Sequence, residues 1–380
     1  QRSCKKAKVP ESQMSLPQRQ SFEAAATTVL ETLAEDTKDF WAPRTVRRLE
    51  YIPSAVEFLR DYVSNNTPVI IPGLLNQWEA SKVWNLDYLS EVMGSKKVTV
   101  DITPDGNGDC IIVRNGEYIF VKPEERQMEV REFAELLMSR DQARGIPYLS
   151  HQNDSMNKEF DDLLQHIGPS IGFASEAFGN TPDAVNIWIG DERAVSSLHK
   201  DHYENMYAVV RGQKRFMLLP PSAVAFLPEK QDLLQARYRY CSENKQFKID
   251  PDELDQRVSW IEADPSCQDD LNRFPLLKLA PVLYCDVNEG ETLYLPSMWY
   301  HKVTQTQLTI AVNFWHDMCF DCKYVYYNLA KGLKQILDSL VLQPSTPSAQ
   351  KNLQGKEVAE QAATSKQLDD DDSNDSNVLI

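Results

Sequence analysis

The sequence predicts a mainly β protein with flanking helices, built on a double-stranded β-helix, that is, a jelly-roll barrel. Two observations predict this fold. Roughly eight short strand patterns separated by turn residues fill the segment 184–314, which is typical of a double-sheet jelly roll. Helical spacing of apolar residues occurs mainly before and after that segment. For a chain of 380 residues, one large β core with appendages is a simpler prediction than several domains.

The N-terminal part is predicted to begin with a disordered basic leader over residues 1–20, rich in Gln, Ser, Lys and Pro. Residues 21–180 are predicted to hold helices and supporting strands. Ser54 and Glu57 have the spacing of a capping box, so a helix is expected to start there. The predicted helices cover 22–33, 54–63, 86–93, 130–138 and 160–167, and the predicted strands cover 67–73, 97–102, 110–114, 118–121 and 146–150.

Residues 181–322 are predicted to form the β core. Its predicted strands cover 184–189, 195–199, 205–210, 215–219, 282–287, 292–295, 301–305 and 308–314. The interval 221–279 within this core is polar, long and proline-containing. We predict that it is an insertion with little regular structure.

The C-terminal part is predicted to be a helix over 323–342 followed by a disordered acidic tail over 343–380. The helix carries one apolar stripe, made of Leu329, Leu333, Ile336, Leu337 and Leu340. Such a stripe either packs on the chain's own core or forms the seam of a homodimer. Both alternatives remain open from the sequence.

The net charge of −16 lies mostly in the body of the chain. The leader carries five bases against one acid and residues 341–380 carry three bases against seven acids, so the two ends cancel. A negative field repels nucleic acid and favours basic partners, such as a protein segment that bears lysine or arginine. Plain solubility is the alternative interpretation. We expect a protein partner and no direct contact with nucleic acid.

The seven cysteines are odd in number and scattered, which favours reduced thiols in an intracellular compartment. We therefore expect a cytoplasmic or nuclear protein. Cys319 and Cys322 form a lone Cys-x-x-Cys pair, for which ordinary thiols are a simpler interpretation than a zinc or redox site. No apolar run approaches the roughly 18 residues of a membrane span, so no membrane association is expected.

A candidate metal site comes from His199 and Asp201, which are two residues apart in a strand pattern and can point to the same face. His301 follows a proline-containing turn and an aromatic pair, and is predicted to start another strand at the barrel mouth. Two histidines and one carboxylate hold a metal on one face and leave other positions open. His202 would point to the opposite face, so we predict an indirect or structural role for it.

Several segments together resemble the JmjC family of Fe(II)- and 2-oxoglutarate-dependent oxygenases and, within it, the group of JmjC domain-containing protein seven. The resemblance covers roughly residues 40–335, and it is carried by the segments 183–191, 198–205, 293–296 and 311–315 and by the turn 103–106. It implies a cupin-like barrel and a site that uses Fe(II), 2-oxoglutarate and O2.

The resemblance implies roles for individual residues. His199, Asp201 and His301 fall on the iron ligands. Lys214 falls on the lysine that pairs with the distal carboxylate of 2-oxoglutarate. The positions that hydrogen-bond the cosubstrate in this family are matched by Tyr148, Ser196, Asn205 and Asn313. Relatives usually carry threonine at the position of Ser196, and the retained hydroxyl implies tuning of the site rather than its loss.

The resemblance also implies an activity, hydroxylation at C-3 of a lysine in a developmentally regulated GTP-binding protein. N-methyl-lysine or N-methyl-arginine demethylation uses the same chemistry, but repeated Cys-x-x-Cys pairs of a zinc-binding reader module are missing from the sequence. A peptidase acting on histone tails is another alternative within the family. An alternative of another class is a cupin-like binding module without turnover, although a complete set of ligands argues against it.

Overall fold

The computed structural model describes residues 16–141, 144–252, 254 and 256–341. The chain divides into two compact units. One contains Ala25–Lys334 and holds the β core, and the other contains Gln1–Ala24 and Gln335–Ile380. The described parts of the second unit are the start of the first helix and the end of the last one. The predicted leader up to residue 15 and the predicted tail 343–380 lie outside the described residues.

The strands and helices are numbered in chain order. The strands are β1 (Arg47–Arg48), β2 (Val69–Pro72), β3 (Lys97–Thr103), β4 (Asn107–Gly108), β5 (Cys110–Arg114), β6 (Glu117–Lys122), β7 (Glu124–Glu129), β8 (Ile146–Tyr148), β9 (Ala184–Gly190), β10 (Val195–Lys200), β11 (Tyr203–Arg211), β12 (Gln213–Leu219), β13 (Glu229–Cys241), β14 (Gln246–Pro251), β15 (Arg257–Ile261), β16 (Leu283–Asn288), β17 (Glu291–Leu295), β18 (Tyr300–Gln305) and β19 (Thr309–Asp317). The α-helices are α1 (Leu16–Asp36), α2 (Ala55–Phe58), α3 (Ala80–Val83), α4 (Leu86–Met93), α5 (Val130–Ser139), α6 (Ser155–Lys158), α7 (Gly172–Phe178), α8 (Gln268–Arg273) and α9 (Cys322–Val341).

The predicted jelly roll is confirmed, because two facing sheets use the eight strands expected from the sequence. The major sheet has the order β1-β2-β17-β11-β19-β9, and the minor sheet has the order β16-β12-β18-β10-β4. Successive core strands alternate between the two sheets except for β12 and β16, which are neighbours in the minor sheet. The inner faces meet in a core of apolar side chains that includes Tyr207, Phe216 and Leu218.

Strand β11 shows why some core strands are apolar at every position of the sequence. Tyr207 and Val209 face the barrel interior, and Met206, Ala208 and Val210 pack outward against the helices and supporting strands. Side chains on a strand alternate between faces, so a strand covered on both sides is apolar at every position. The supporting sheet has the order β7-β3-β8. The predicted cap of α2 is present, since the Ser54 hydroxyl accepts a hydrogen bond from the Glu57 backbone N–H at 3.2 Å.

The prediction of little regular structure in 221–279 is wrong. This segment contains β13, β14, β15 and α8, and β13 pairs in parallel with the distant strand β6. The resulting lateral sheet has the order β14-β13-β6-β5. Strand β15 also pairs with β13, for example Leu233 with Val258. The sheet is partly exposed, and only alternate residues such as Ala236 and Tyr238 are buried. The polar composition therefore reflects a half-solvated sheet and not a missing one.

Two predictions about the terminal helices need correction. Helix α1 starts at Leu16, so residues 16–20 are helical and not part of a disordered leader; Pro17 is tolerated in the first turn of a helix because no intrahelical N–H bond is lost there. The two stripe residues of α9 within the larger unit, Leu329 and Leu333, do not pack on the core, because they are 57% and 53% exposed. The dimer seam stays a prediction. No helix in the described part of the chain is long and apolar enough to span a membrane.

Candidate metal centre

Two histidines meet on neighbouring strands of the minor sheet. His199 near the end of β10 and His301 near the start of β18 are directly paired in antiparallel register. Directly opposite residues point to the same face, and the two ring centroids are 4.3 Å apart. The register shifts between Ser196 and His199, which indicates a bulge in β10. Bulges re-aim side chains and often occur next to functional sites.

Asp201 completes the cluster, although it does not lie on a strand as the period-two argument assumed. Strand β10 ends at Lys200, and Asp201 belongs to the short link to β11. The Met298 backbone N–H donates to the Asp201 carbonyl at 2.9 Å and holds this link beside the turn before His301. The Asp201 Oδ2 atom lies 3.8 Å from His199 Nε2 and 3.7 Å from His301 Nε2.

The donor atoms of this cluster fit a divalent metal ion. The Nδ1–H of His199 donates to the Ser197 carbonyl at 2.6 Å, and that of His301 donates to the Trp299 carbonyl at 3.1 Å. These bonds leave both Nε2 lone pairs free to face Asp201. Burial lowers the pKa of His301 to about 4, which keeps its imidazole neutral as a ligand must be. Ligand atoms bound to one ion at roughly 2.1 Å lie roughly 3–4 Å apart, as these atoms do.

The turn that presents His301 is fixed by a buried carboxylate on β11. Glu204 accepts hydrogen bonds from the Ser297 backbone N–H at 3.1 Å, the Ser297 hydroxyl at 2.7 Å and the Tyr294 hydroxyl at 2.7 Å. Met298 in the same turn has a φ of 69°, which is rare for a residue other than glycine. The hydrogen bonds to Glu204 therefore hold a strained turn next to the metal cluster.

Lys214 lies deeper in the barrel and is completely buried. Its ammonium donates to the Tyr148 hydroxyl at 2.9 Å and to the Gln305 side-chain carbonyl, and no described carboxylate pairs with it. Burial lowers its pKa to about 7, because an ammonium without a counter-ion is unfavourable in an apolar interior. A ligand that brings a carboxylate to this depth would supply the missing charge.

The remaining predicted residues line one pocket with the metal cluster. Tyr148, Ser196, Asn205 and Asn313 all contribute to the pocket wall. Asn313 accepts from Trp188 Nε1 at 2.9 Å and donates to Asn205 Oδ1 at 3.4 Å. The structure therefore brings together the metal cluster and the four predicted polar side chains, while Lys214 adjoins them through Tyr148. Their roles as ligands and cosubstrate contacts stay predictions.

Sequence reasoning missed three residues of this pocket and its surroundings. Tyr207 points into the pocket from β11, and its hydroxyl lies beside that of Tyr148. The side-chain carbonyl of Gln305 accepts a hydrogen bond from the Lys214 ammonium. Trp260 on β15 stacks on the His199 ring, with centroids 6.1 Å apart and planes 10° apart. Strand alternation could have placed Tyr207 in the barrel, but Trp260 comes from the segment predicted to lack structure.

The other histidines are placed outside the cluster. His202 is exposed, and its ring lies against Phe320 and Tyr324 with centroids 6.4 and 6.1 Å away. His166 is buried and accepts a hydrogen bond from Trp84 Nε1 at 3.0 Å. His202 thus points away from the metal cluster. Strand alternation in the sequence also predicts that it lies on the face opposite Asp201.

Comparison with known proteins agrees with this architecture. Residues 55–322 match the cupin-like domain family. The human bifunctional peptidase and (3S)-lysyl hydroxylase JMJD7 is 40% identical, over 83% of this chain and 98% of its own length. JmjC domain-containing protein E of Dictyostelium discoideum is 39% identical over 79% of this chain and 91% of its own length. Lysine-specific demethylase JMJ32 of Arabidopsis thaliana is 36% identical, over 80% and 91% respectively.

The matched region contains all eight core strands, the metal cluster and Lys214. The family resemblance predicted from the sequence is therefore confirmed. The chain belongs to the cupin-like JmjC family and is a 2-oxoglutarate-dependent oxygenase.

Proposed function

We propose that this protein is an Fe(II)-dependent lysyl hydroxylase that uses 2-oxoglutarate to hydroxylate C-3 of a lysine side chain in a partner protein. The observation that carries the proposal is the joint placement of the metal cluster and the unpaired Lys214 ammonium in one barrel interior. The name of the human relative, a (3S)-lysyl hydroxylase, supports the choice of lysine as the target.

One set of residues would hold the metal, and a second set would bind the cosubstrate. His199, Asp201 and His301 would hold Fe(II) by one face. Lys214 and Tyr148 would bind the distal carboxylate of 2-oxoglutarate, since they are the cation and the hydroxyl at the deep end of the pocket. Together with O2, the bound iron and cosubstrate supply the oxidising equivalent that inserts oxygen into a C–H bond, and succinate and CO2 are released.

The barrel's own contribution is positioning and exclusion of water. The two imidazole rings are oriented by backbone carbonyls, and the turn before His301 is held by Glu204. Trp188 and Tyr207 form apolar walls beside the cluster. A closed apolar wall keeps other C–H bonds and bulk solvent from the reacting centre, so only a side chain that enters the cleft is oxidised.

The substrate protein is proposed on two grounds. The net charge of −16 favours a basic segment, and the resemblance points to a developmentally regulated GTP-binding protein as its source. A cytoplasmic or nuclear location and a homodimer through α9 are further parts of the proposal. Demethylation of N-methyl-lysine is a second candidate, favoured by the name of the Arabidopsis relative.

Incubation with Fe(II), 2-oxoglutarate and lysine-bearing peptides from such a GTP-binding protein tests the proposal by mass spectrometry. We expect a gain of one oxygen atom on lysine, coupled to succinate formation and absent when 2-oxoglutarate is omitted. Loss of a methyl group from a methylated peptide would indicate demethylation instead, and shortened peptides would indicate the peptidase activity in the human relative's name. Failure to consume 2-oxoglutarate with any peptide would contradict the proposal.

Replacing Gly190 with alanine is expected to weaken 2-oxoglutarate binding. A Cβ atom at this position would lie 2.6 Å from Tyr148 Cδ2 and 3.3 Å from Gln305 Nε2, so it would displace both partners of Lys214. Overpacking of this kind costs about 1–3 kcal/mol. We expect a lower melting temperature and a higher KM for 2-oxoglutarate. Gly172→Ala is the control, because its added Cβ would meet nothing within 4 Å.

A further inference from the structure

A cleft of about 360 Å³ opens beside the metal cluster. One wall contains His199 and Asp201, and the opposite wall comes from the supporting sheet and the lateral sheet. The floor is shared with the cosubstrate pocket through Tyr148, Trp188 and Ser196. A side chain that is oxidised at the metal has to occupy this space, so the groups that line it select the substrate.

Most of the charged groups in this cleft already have partners. Lys122 pairs with Asp252 at 2.5 Å, and Arg237 pairs with Glu125 at 2.6 Å. Asp101 accepts a hydrogen bond from the Ser150 hydroxyl at 2.6 Å. These contacts occupy two cations and two acids of the cleft wall, which are therefore not free binding groups.

Asp109 differs from these residues, because its carboxylate makes no hydrogen bond or ion pair with a described residue. The side chain lines the cleft, and the surrounding walls shield it from water, which raises its pKa. Asp109 also has a φ of 51°, in the left-handed region. Its nearest cations, Lys122 and Arg237, are already paired with other carboxylates, so a ligand that supplies a further cation would stabilise this carboxylate on its strained backbone.

The position of Asp109 relative to the metal cluster is fixed by short contacts. The Ser197 hydroxyl donates to the Asp109 carbonyl at 2.6 Å, and the Ser197 carbonyl accepts from His199 Nδ1 at 2.6 Å. Trp260 donates through Nε1 to the Ser197 hydroxyl at 3.3 Å while its ring stacks on His199. Ser197 therefore links the backbone of Asp109 to the metal ligand His199, so Asp109 lies beside the cluster and not within it.

We propose that Asp109 binds the ε-ammonium of the substrate lysine and that Trp260 packs against its methylene chain, so that C-3 and not the nitrogen faces the metal. This inference rests on the proposed lysyl hydroxylation and explains its position on the side chain. The ε-nitrogen is four bonds of roughly 1.5 Å from C-3, so a carboxylate beside the cluster and not within it can hold the nitrogen away from the metal. Demethylation would need an N-methyl carbon, and so the nitrogen end of the side chain, at the metal.

The substitution Asp109→Asn keeps the shape of the side chain and removes its charge. The test compares a peptide with a single central lysine and the same peptide with norleucine, which has the same carbon chain without the ammonium. For the unaltered enzyme we expect the lysine peptide to bind roughly 10- to 100-fold more tightly, the range of a charged hydrogen bond. The Asn variant is expected to lose this preference, with KM for the lysine peptide rising by the same factor and kcat changing less.

Glu117→Gln is the matched control, since this exposed residue of the lateral sheet carries the same charge but does not line the cleft. Metal and 2-oxoglutarate binding are measured on both variants to show that the barrel is intact. Binding of the two peptides is measured by calorimetry as well as by turnover. An unaltered enzyme that prefers lysine but does not hydroxylate it contradicts the proposed function and leaves Asp109 supported.

The inference about Asp109 is overturned if the Asn variant keeps the preference for lysine over norleucine. It is equally overturned if the unaltered enzyme shows no preference between the two peptides.

Discussion

Replacement of His199 with alanine is expected to abolish binding of Fe(II), whereas replacement of His202 with alanine is expected to leave it unchanged. His199 Nε2 faces the Asp201 carboxylate at 3.8 Å, but His202 is exposed and lies against Phe320. Loss of an outer partner of a metal ligand already costs 10- to 100-fold in affinity, so loss of a ligand should cost about 100-fold or more. Calorimetric titration with Mn(II), which such sites accept in place of Fe(II), measures both variants.

Hydroxylation of the peptide provides the second measurement on the same pair of variants. We expect turnover to fall with metal affinity in the His199 variant and to persist in the His202 variant. Loss of metal binding on substitution of His202 with retention on substitution of His199 would show that the cluster has been assigned wrongly. Equal retention in both variants would place the metal elsewhere.

Substitution of Lys214 with methionine is expected to change stability and cosubstrate affinity in opposite directions. The ammonium is completely buried and pairs with no carboxylate in the described part of the chain, so its removal should raise the melting temperature of the protein without ligands. The same change removes the cation for the distal carboxylate of 2-oxoglutarate. Truncation of one partner of a buried charge pair costs about 2–5 kcal/mol, or roughly 30-fold or more in affinity.

The stability effect should depend on pH in a defined direction. The pKa of Lys214 is lowered from its ordinary 10.5 to about 7, so between these values the unfolded chain binds the proton and the folded chain does not. Stability from this group therefore rises with pH across that window, and the full cost of the buried charge is present below about pH 7. Thermal unfolding at about pH 6 and about pH 9 should show the advantage of the methionine variant shrinking at the higher pH.

Lys97→Met is the control for this substitution, because it removes the same charge from an exposed position on β3. We expect little change in melting temperature or in 2-oxoglutarate affinity. A Lys214 variant that binds 2-oxoglutarate as well as the unaltered enzyme would contradict the assignment of Lys214 as the carboxylate partner.

The barrel was predictable because its strands carry strong local signals. Most of the eight core strands are short, rich in apolar residues and bounded by turn residues, and the observed sheets pair these same segments. The pairing of His199 with His301 follows from two strands whose ends were recognisable in the sequence. Local pattern was sufficient because at least one face of each core strand packs in the barrel, and burial of one face specifies the register strongly.

The lateral sheet was not predictable from local pattern. Strand β13 pairs with β6, which lies more than a hundred residues earlier in the chain, for example Leu234 with Ile119. Its exposed positions make it polar, so composition indicated an irregular insertion. The stability of such a strand comes from its partners and not from its own sequence, because strand preference mainly reflects packing against neighbours.

The sequence by itself determined the barrel, because strand patterns are local properties of the chain, and it identified His199, Asp201 and His301 as candidate ligands. The role of Lys214 was implied by the family resemblance and not by strand alternation. Only the tertiary structure decided that Asp201 reaches the histidines from a link after β10, that no carboxylate of the described residues pairs with Lys214, and that Trp260 covers His199. These features depend on burial and on contacts between residues far apart in sequence. The unpaired carboxylate of Asp109 beside the metal cluster belongs to the same class, since the absence of a partner is a property of the folded chain alone.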